Sequence, residues 1–439
     1  MIDAFLTSFD PSALPGSSVD QLGFERGYLF LADKILPGMT NVASKPRYFA
    51  LLCAGISLDQ EDHSRSPQQT FLSRRETILR LERFWALANV LAHGPEGAGS
   101  VRGVSYAREI VDHLEKSGAT KTDARYKLLT RQTQYGGIGM YGVVADGMRF
   151  INRESLSLTP DLGEPMAEAF LTETGLPASL QKAVREDGEV GISTLREWGK
   201  RAHIDGSVGT NEGLRIGQAL FSHPVRCRMA ALLRRHRPKE GTDELVRISR
   251  IAATLKKGQA DFDLGEAMQC IVAYENCFKL VSLAFERMLW ICKKHAAASI
   301  TVALLADDPV IEFVVKKLPA AAERFANTLG EPTTDEFRRD LHRLDEVKRF
   351  LLSAAESASS TKSFLLSIVN RHSDVQGDKF DRGRKKMPWL EMTGEKITLT
   401  ITKVGGLRFE ATAPEDIVAH PYRLGAADAM IRAADCEST

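Results

Sequence analysis

The stretch that decides the fold is LGEAMQCIVAYENCFKLVSLAFERMLWICKKHAA, residues 264–297. Wound as a helix, it is surrounded on most sides by Leu264, Met268, Ile271, Val272, Phe278, Leu280, Val281, Leu283, Phe285, Met288, Leu289, Trp290 and Ile291. Only Glu275, Lys279, Ser282, Glu286 and Lys293 leave a narrow polar stripe. A helix apolar nearly all round sits at the centre of a bundle rather than on its surface. The segments around it, from residue 211 to 373, also carry helical periodicity. One of them opens on a capping box, Thr333 with Glu336, and continues through Phe337, Leu341, Leu344 and Leu351.

Toward the N-terminus the same periodicity predicts a helix over 20–36, stopped by Pro37-Gly38. A second follows over Tyr48–Ile56, and a long amphipathic helix runs over 68–92 with Phe71, Ile78, Leu81, Phe84, Trp85 and Leu91 on its apolar side. Residues 121–173 read as a short helix through Tyr126–Leu129, a glycine-rich turn, a helix ending near Arg149, a small hairpin over 150–158 and a helix from Thr159. That is the element order of a winged helix-turn-helix. In the tail, Lys396–Lys403 alternates with period two, and Gly405-Gly406 turns it back through Leu407–Ala411, a hairpin pattern. The expected fold is therefore mainly α: a multi-helix bundle with a winged-helix-like module and a small C-terminal β-hairpin. We read four regions: an N-terminal helical region (1–118), the winged-helix-like module (119–205), the helical bundle (206–373), and a basic tail with hairpin and final helix (374–439).

Composition sets the outer bounds. The 439 residues are 43% hydrophobic and 26% charged, with net charge +1. This is ordinary globular usage, neither disordered nor collagenous. No apolar run reaches the roughly 20 residues that span a bilayer, and Met1–Asp10 lacks a basic segment followed by an apolar one. These features predict a cytoplasmic protein with no membrane partner. The six cysteines include no C-x-x-C pair, so zinc spacing is missing and buried free thiols are expected.

Several motifs invite chemistry. Gly137-Ile-Gly-Met-Tyr-Gly142 matches the dinucleotide pattern, but polar residues 130–135 precede it where a buried strand is needed; a glycine-rich helix turn fits better. Leu36-Pro-Gly38 is similar to the start of DNA-binding helix-hairpin-helix turns, without their second glycine. Asp261, Asp263 and Glu266 group carboxylates at a helix start, where N-capping explains them. The ten histidines are dispersed. We expect no cofactor and no metal.

Local charge is the positive signal. Between Arg226 and Lys257 ten cations face three carboxylates; between Arg371 and Lys386 six face three, running into Pro388-Trp389. Cations neutralise phosphates and aromatics stack on unpaired bases. Lys45, Arg47, Arg384, Lys385, Lys386 and Arg423 are the expected phosphate contacts, with Trp389 as a stacking wedge. Short segments across the chain also resemble uncharacterised proteins found beside bacterial anti-phage and genome-island genes. They are Leu22-Gly, Ala32–Asn41, Lys45-Pro-Arg-Tyr-Phe49, the Gly136–Tyr141 turn, Lys386-Met-Pro-Trp389 and His420-Pro-Tyr-Arg-Leu424. The resemblance implies a role near DNA metabolism or defence and assigns no reaction.

Three readings remain open. The first is a DNA-associated defence protein, with DNA as partner. The second is an enzyme acting on phage DNA, a glycosylase or nuclease, its polar groups drawn from Asp33, Asn41 and Tyr48 around the first loop. The third is a non-catalytic scaffold for partner proteins of a defence complex.

Overall fold

The computed structural model describes residues 20–59, 64–206, 208–238, 241–255, 261–294, 299–330, 340–381, 384–400 and 411–435. The chain is mainly helical, with small antiparallel sheets of two or three strands. It folds into two compact units, each built from distant pieces of sequence. One takes Met1–Ile35 with His236–Tyr422, the other Leu36–Arg235 with Arg423–Thr439. These units run differently from the four regions read along the sequence. The physical reason is that chain ends return: the final helix, Leu424–Ala434, packs on the Thr210–Phe221 and Pro224–Arg235 helices of the second unit.

In the first unit the apolar stretch forms one helix, Phe262–Lys294, about 50 Å long at 1.5 Å per residue. It buries residues on every side, from Leu264 to Cys292, as its composition requires. Helices Pro309–Leu329, Glu244–Thr254, Glu25–Ile35 and Thr361–Gly377 pack around it. A three-stranded sheet closes one part: Lys396–Leu399 lies between Ser299–Thr301 and Leu390–Thr393, antiparallel to both. The C-terminal hairpin thus pairs 396–399 with the strand before it. Thr393 faces Lys396 across a two-residue turn whose Gly394 takes φ +61°, a left-handed conformation that glycine adopts without strain. The return strand expected from Leu407 and the capping box at Thr333 and Glu336 lie outside the described residues.

In the second unit the helix Arg47–Ser57 is buried along nearly its whole length. It packs against Gly163–Glu173, Gly137–Gly147 and the long helix Pro67–Gly97. Ser66 starts that long helix with a capping box to Gln69, and the ladder breaks at Gly94, φ +73°, before Pro95. The Ile192–Arg201 and Val104–Ser117 helices flank it. Between 123 and 130 the expected short helix is irregular. Helix Gly137–Gly147, ladder Ile151–Asn152 with Ser157–Leu158, and helix Gly163–Glu173 do follow in the expected order. The helix that would enter a DNA groove in such a module, Gly137–Gly147, carries no cation and buries Tyr141, Val144 and Ala145.

The helix Gly137–Gly147 also explains the glycine motif. The Glu82 carboxylate, fully buried, accepts the Gly137 N–H at 2.7 Å and the Gln132 side-chain amide at 2.8 Å. A Cβ at Gly136 would lie 2.6 Å from the Gln132 carbonyl oxygen and 2.7 Å from Glu82. A short helix, not a strand, precedes the motif, and the glycine lets its backbone close on a carboxylate of the protein itself. Among the described residues no helix is long and apolar enough to cross a membrane.

Candidate nucleic-acid cleft

The second unit contains a polar cleft of about 390 Å³, bounded by the loop before Arg47, the 99–103 turn, Tyr135 and Tyr141. Its geometry is set from below by aromatic packing. Tyr48 stacks on Tyr141 with ring centroids 4.4 Å apart and meets Trp85 edge-on at 5.0 Å. Its hydroxyl accepts the Arg102 backbone N–H at 2.8 Å, which fixes the turn carrying Arg102. The turn ends at Gly103, φ +76°, where a Cβ would come 2.5 Å from the Leu128 carbonyl oxygen. Tyr141 lines the same cleft, with the Lys45 backbone close to its hydroxyl. Burial pushes both phenols up, so they stay uncharged donors and acceptors. Burial likewise raises the Glu82 carboxyl behind them.

Two cations line the cleft. Lys45 forms an ion pair with Asp205. The Arg102 guanidinium makes no hydrogen bond or ion pair with the described residues, although Arg102 is only half-exposed. Ser44 and Ser100 add hydroxyls, and the Tyr135 ring is exposed at the rim. The loop that presents Asp205 is held rigidly. Trp85 Nε1 donates to the Ala202 carbonyl at 2.6 Å, and Asn89 accepts the Ile204 N–H at 2.9 Å. The Arg47 Nη1 donates to the carbonyls of Arg201 and His203 at 3.0 and 2.8 Å. His203 Nε2 meets the Gly97 carbonyl oxygen at 2.8 Å, tying this loop to the Pro67–Gly97 helix just before the cleft turn. Two cations, hydroxyls and an exposed aromatic around a cavity of ligand size can hold an anion with an attached ring.

The residues expected from the sequence fall in different places. Lys45 lines the cleft. Arg47 does not reach solvent: it is buried, its Nη2 3.3 Å from Glu212 Oε1, and it braces the loop just described. Arg423 is a second correction. It is buried at the start of the final helix, φ +69°, and Nη1 donates to the Leu36 carbonyl at 2.9 Å. Neither guanidinium is presented to a phosphate. Tyr48, a candidate for chemistry, is wholly buried with its hydroxyl committed to the cleft turn. Asn41 is half-buried in the second unit, whereas Asp33 is exposed on a helix of the first, so no compact unit gathers the three.

The tail residues belong to the first unit. Arg384 and Lys385 form a two-residue strand paired with Phe380–Asp381, and Lys385 is exposed. Lys386 is half-buried and its N–H donates to the Lys379 carbonyl at 3.0 Å. The Trp389 N–H donates to His372 Nε2 at 2.7 Å, and its ring lies 5.7 Å from His372 and 6.3 Å from Phe285. It is seated on the core's edge, not held out as a wedge. The other basic run is divided between the units after Arg235. Its Arg226 is buried against carbonyls, including Ala219 at 3.0 Å and Pro37 at 3.2 Å, and Arg247 donates to His236 at 2.8 Å.

Sequence reasoning missed Arg102 and Tyr135. The only available signal was a cation bracketed by Gly99 and Gly103, with no periodicity to single it out. Among the described residues no group of His, Cys, Asp or Glu is placed to hold a metal ion. Comparison of the chain with family models, with curated proteins and with solved structures gives no match.

Proposed function

We propose that the protein binds an unpaired nucleic-acid strand, DNA in the first instance, through the cleft of its second unit. The observation that carries this reading is the Arg102 guanidinium, which has no hydrogen-bond or ion-pair partner among the described residues, beside Lys45 in a polar cavity rimmed by the Tyr135 ring. Arg102 and Lys45 contact phosphate, and Tyr135 stacks on a base, a combination that binds single strands without reading sequence. The cavity volume falls in the range of small-ligand sites and accommodates about one nucleotide unit. The anti-phage setting is part of the same proposal and rests on the short motifs named above.

Fluorescence anisotropy of a labelled oligothymidylate, titrated with protein across a range of salt, tests it. Binding should weaken steeply as salt rises, and Arg102→Ala should weaken it at every salt. Affinity indifferent to salt, or unchanged in Arg102→Ala and Lys45→Ala, overturns the reading.

A further inference from the structure

We propose that the first unit carries a site of its own, a general-base histidine for hydrolysis of neutral acyl esters, built on His420 and Glu275; it does not rest on the cleft. Glu275 is wholly buried on the Phe262–Lys294 helix and pairs with no lysine or arginine among the described residues. Its partners come from one short segment. Oε1 accepts the Tyr422 hydroxyl at 2.6 Å and lies 2.8 Å from His420 Nδ1, while Oε2 accepts the His420 backbone N–H at 3.1 Å. Burial, then the Glu275 charge, pushes the Tyr422 phenol up, so it stays a donor. The carboxylate beside Nδ1 puts the ring proton there and leaves the lone pair on Nε2. Nε2 has no hydrogen-bond partner among the described residues, and the His420 side chain is 16% exposed. His372 is the contrast: it is wholly buried and both its nitrogens are bonded.

The ring is also held by packing. Tyr28 stacks on it with centroids 4.7 Å apart, and Phe278, one turn on from Glu275, lies at 4.1 Å. A histidine with its Nδ1–H on a buried carboxylate and its Nε2 open has the tautomer and orientation of a general base, and the carboxylate stabilises the imidazolium that forms. Nε2 takes a proton from water as the water oxygen bonds to the ester carbonyl carbon. The imidazolium then gives that proton to the leaving oxygen as the C–O bond breaks, which yields acid and alcohol and restores neutral imidazole. The surroundings set the substrate class. Aromatic rings pack on the imidazole, its charged partner is a carboxylate, and no described cation pairs with either residue to hold a phosphate. A neutral carbonyl compound meets no repulsion there, whereas a phosphate ester does.

The experiment gives the full-length protein 4-nitrophenyl acetate and, separately, 4-nitrophenyl phosphate, and follows release of 4-nitrophenolate. Native protein should hydrolyse the acetate at least about a hundredfold faster than His420→Gln, the lower end of what a general base contributes. His113→Gln, which removes an exposed histidine elsewhere, should leave the rate unchanged. Glu275→Gln should lose most of the factor, because an amide no longer fixes the tautomer. Native protein alone also decides, should a variant fail to fold. Brief treatment with diethyl pyrocarbonate, itself a neutral acyl reagent, followed by peptide mass analysis, should modify His420 ahead of the more exposed His113 and spare His372. In folded Glu275→Gln, His420 should lose that lead, which a merely structural carboxylate would not cause. Modification of His113 with His420 untouched overturns the site, as does acetate hydrolysis that persists in folded His420→Gln. Turnover of the phosphate in place of the acetate overturns the assignment to acyl esters.

Discussion

Arg47→Met is the perturbation that most directly separates a structural arginine from a binding one. In the native fold Glu212 is wholly buried and Arg47 nearly so, with Nη2 at 3.3 Å and Nε at 3.5 Å from the carboxylate. Removing the guanidinium leaves a buried carboxylate without its cation, and strands the Arg201 and His203 carbonyls that Arg47 satisfied. Breaking one side of a buried pair costs about 3–5 kcal/mol. In a unit of roughly 200 residues, 1 kcal/mol corresponds to about 2–4 °C, so the melting temperature should fall by roughly 6–20 °C. The penalty should also depend on pH. Burial raises the Glu212 carboxyl in the native fold even though Arg47 pulls it down. A carboxyl raised above its unfolded value favours the fold at low pH and loses that contribution as pH climbs through the folded value. Without Arg47 it rises further, so the variant should lose more at pH 8 than at pH 5. Urea denaturation at the two pH values measures this, with Arg47→Met/Glu212→Leu as the compensated control, expected to be milder than Arg47→Met. A loss below about 1 kcal/mol, or one indifferent to pH, refutes the buried-pair account.

Other outcomes follow from the same structure. Arg102→Ala should reduce the slope of log affinity against log salt by about 0.7, the single-strand value for one phosphate contact, whereas folded Arg47→Met should leave the slope alone. His372 is wholly buried, its Nδ1 facing the Gln21 carbonyl oxygen at 3.0 Å and its Nε2 accepting from Trp389, and burial pulls its pKa from 6.5 to about 4. Its neutral form therefore stabilises the first unit above pH 6.5, and up to about 3 kcal/mol should disappear as pH falls from 6.5 to 4; calorimetry of His372→Gln should show that slope reduced. Gly136→Ala should destabilise the second unit by about 1–3 kcal/mol in thermal unfolding, because its Cβ meets the Gln132 carbonyl and Glu82. Among the described cysteines, iodoacetamide should label the exposed Cys227 and spare Cys53, Cys270, Cys277 and Cys292, as read by peptide mass.

How much of this was legible in the sequence divides by the range of the interaction involved. The 262–294 helix is readable because burial on all sides leaves a compositional trace in the residues themselves. Pro37-Gly38 and the end of the first helix at Ile35 are readable because turn chemistry is local. The pairing of 396–399 with 390–393 through Gly394 was not legible, because period-two alternation marks a strand without saying which neighbour it pairs with. The cleft was only half legible. Lys45 stood out as a cation in a loop, but Arg102 became its neighbour through a contact between residues 48 and 102 that no spacing rule encodes.

Counting cations along the sequence misled for a physical reason that other helical proteins share. Arg47, Arg226 and Arg423 each donate to backbone carbonyls at helix ends or loops, through Arg201 and His203, Ala219 and Pro37, and Leu36. A helix leaves its last carbonyls without intrahelical partners, and a bundle with many short helices has many such ends to satisfy. A guanidinium, with five donors in a planar fork, satisfies several at once. Counting cations along the chain therefore mixes those consumed internally with those offered to a ligand, and a net charge of +7 over 226–257 says little about surface potential. What distinguishes Arg102 is its surroundings: its backbone N–H is taken by the Tyr48 hydroxyl, and among the described residues its guanidinium has no hydrogen-bond or ion-pair partner.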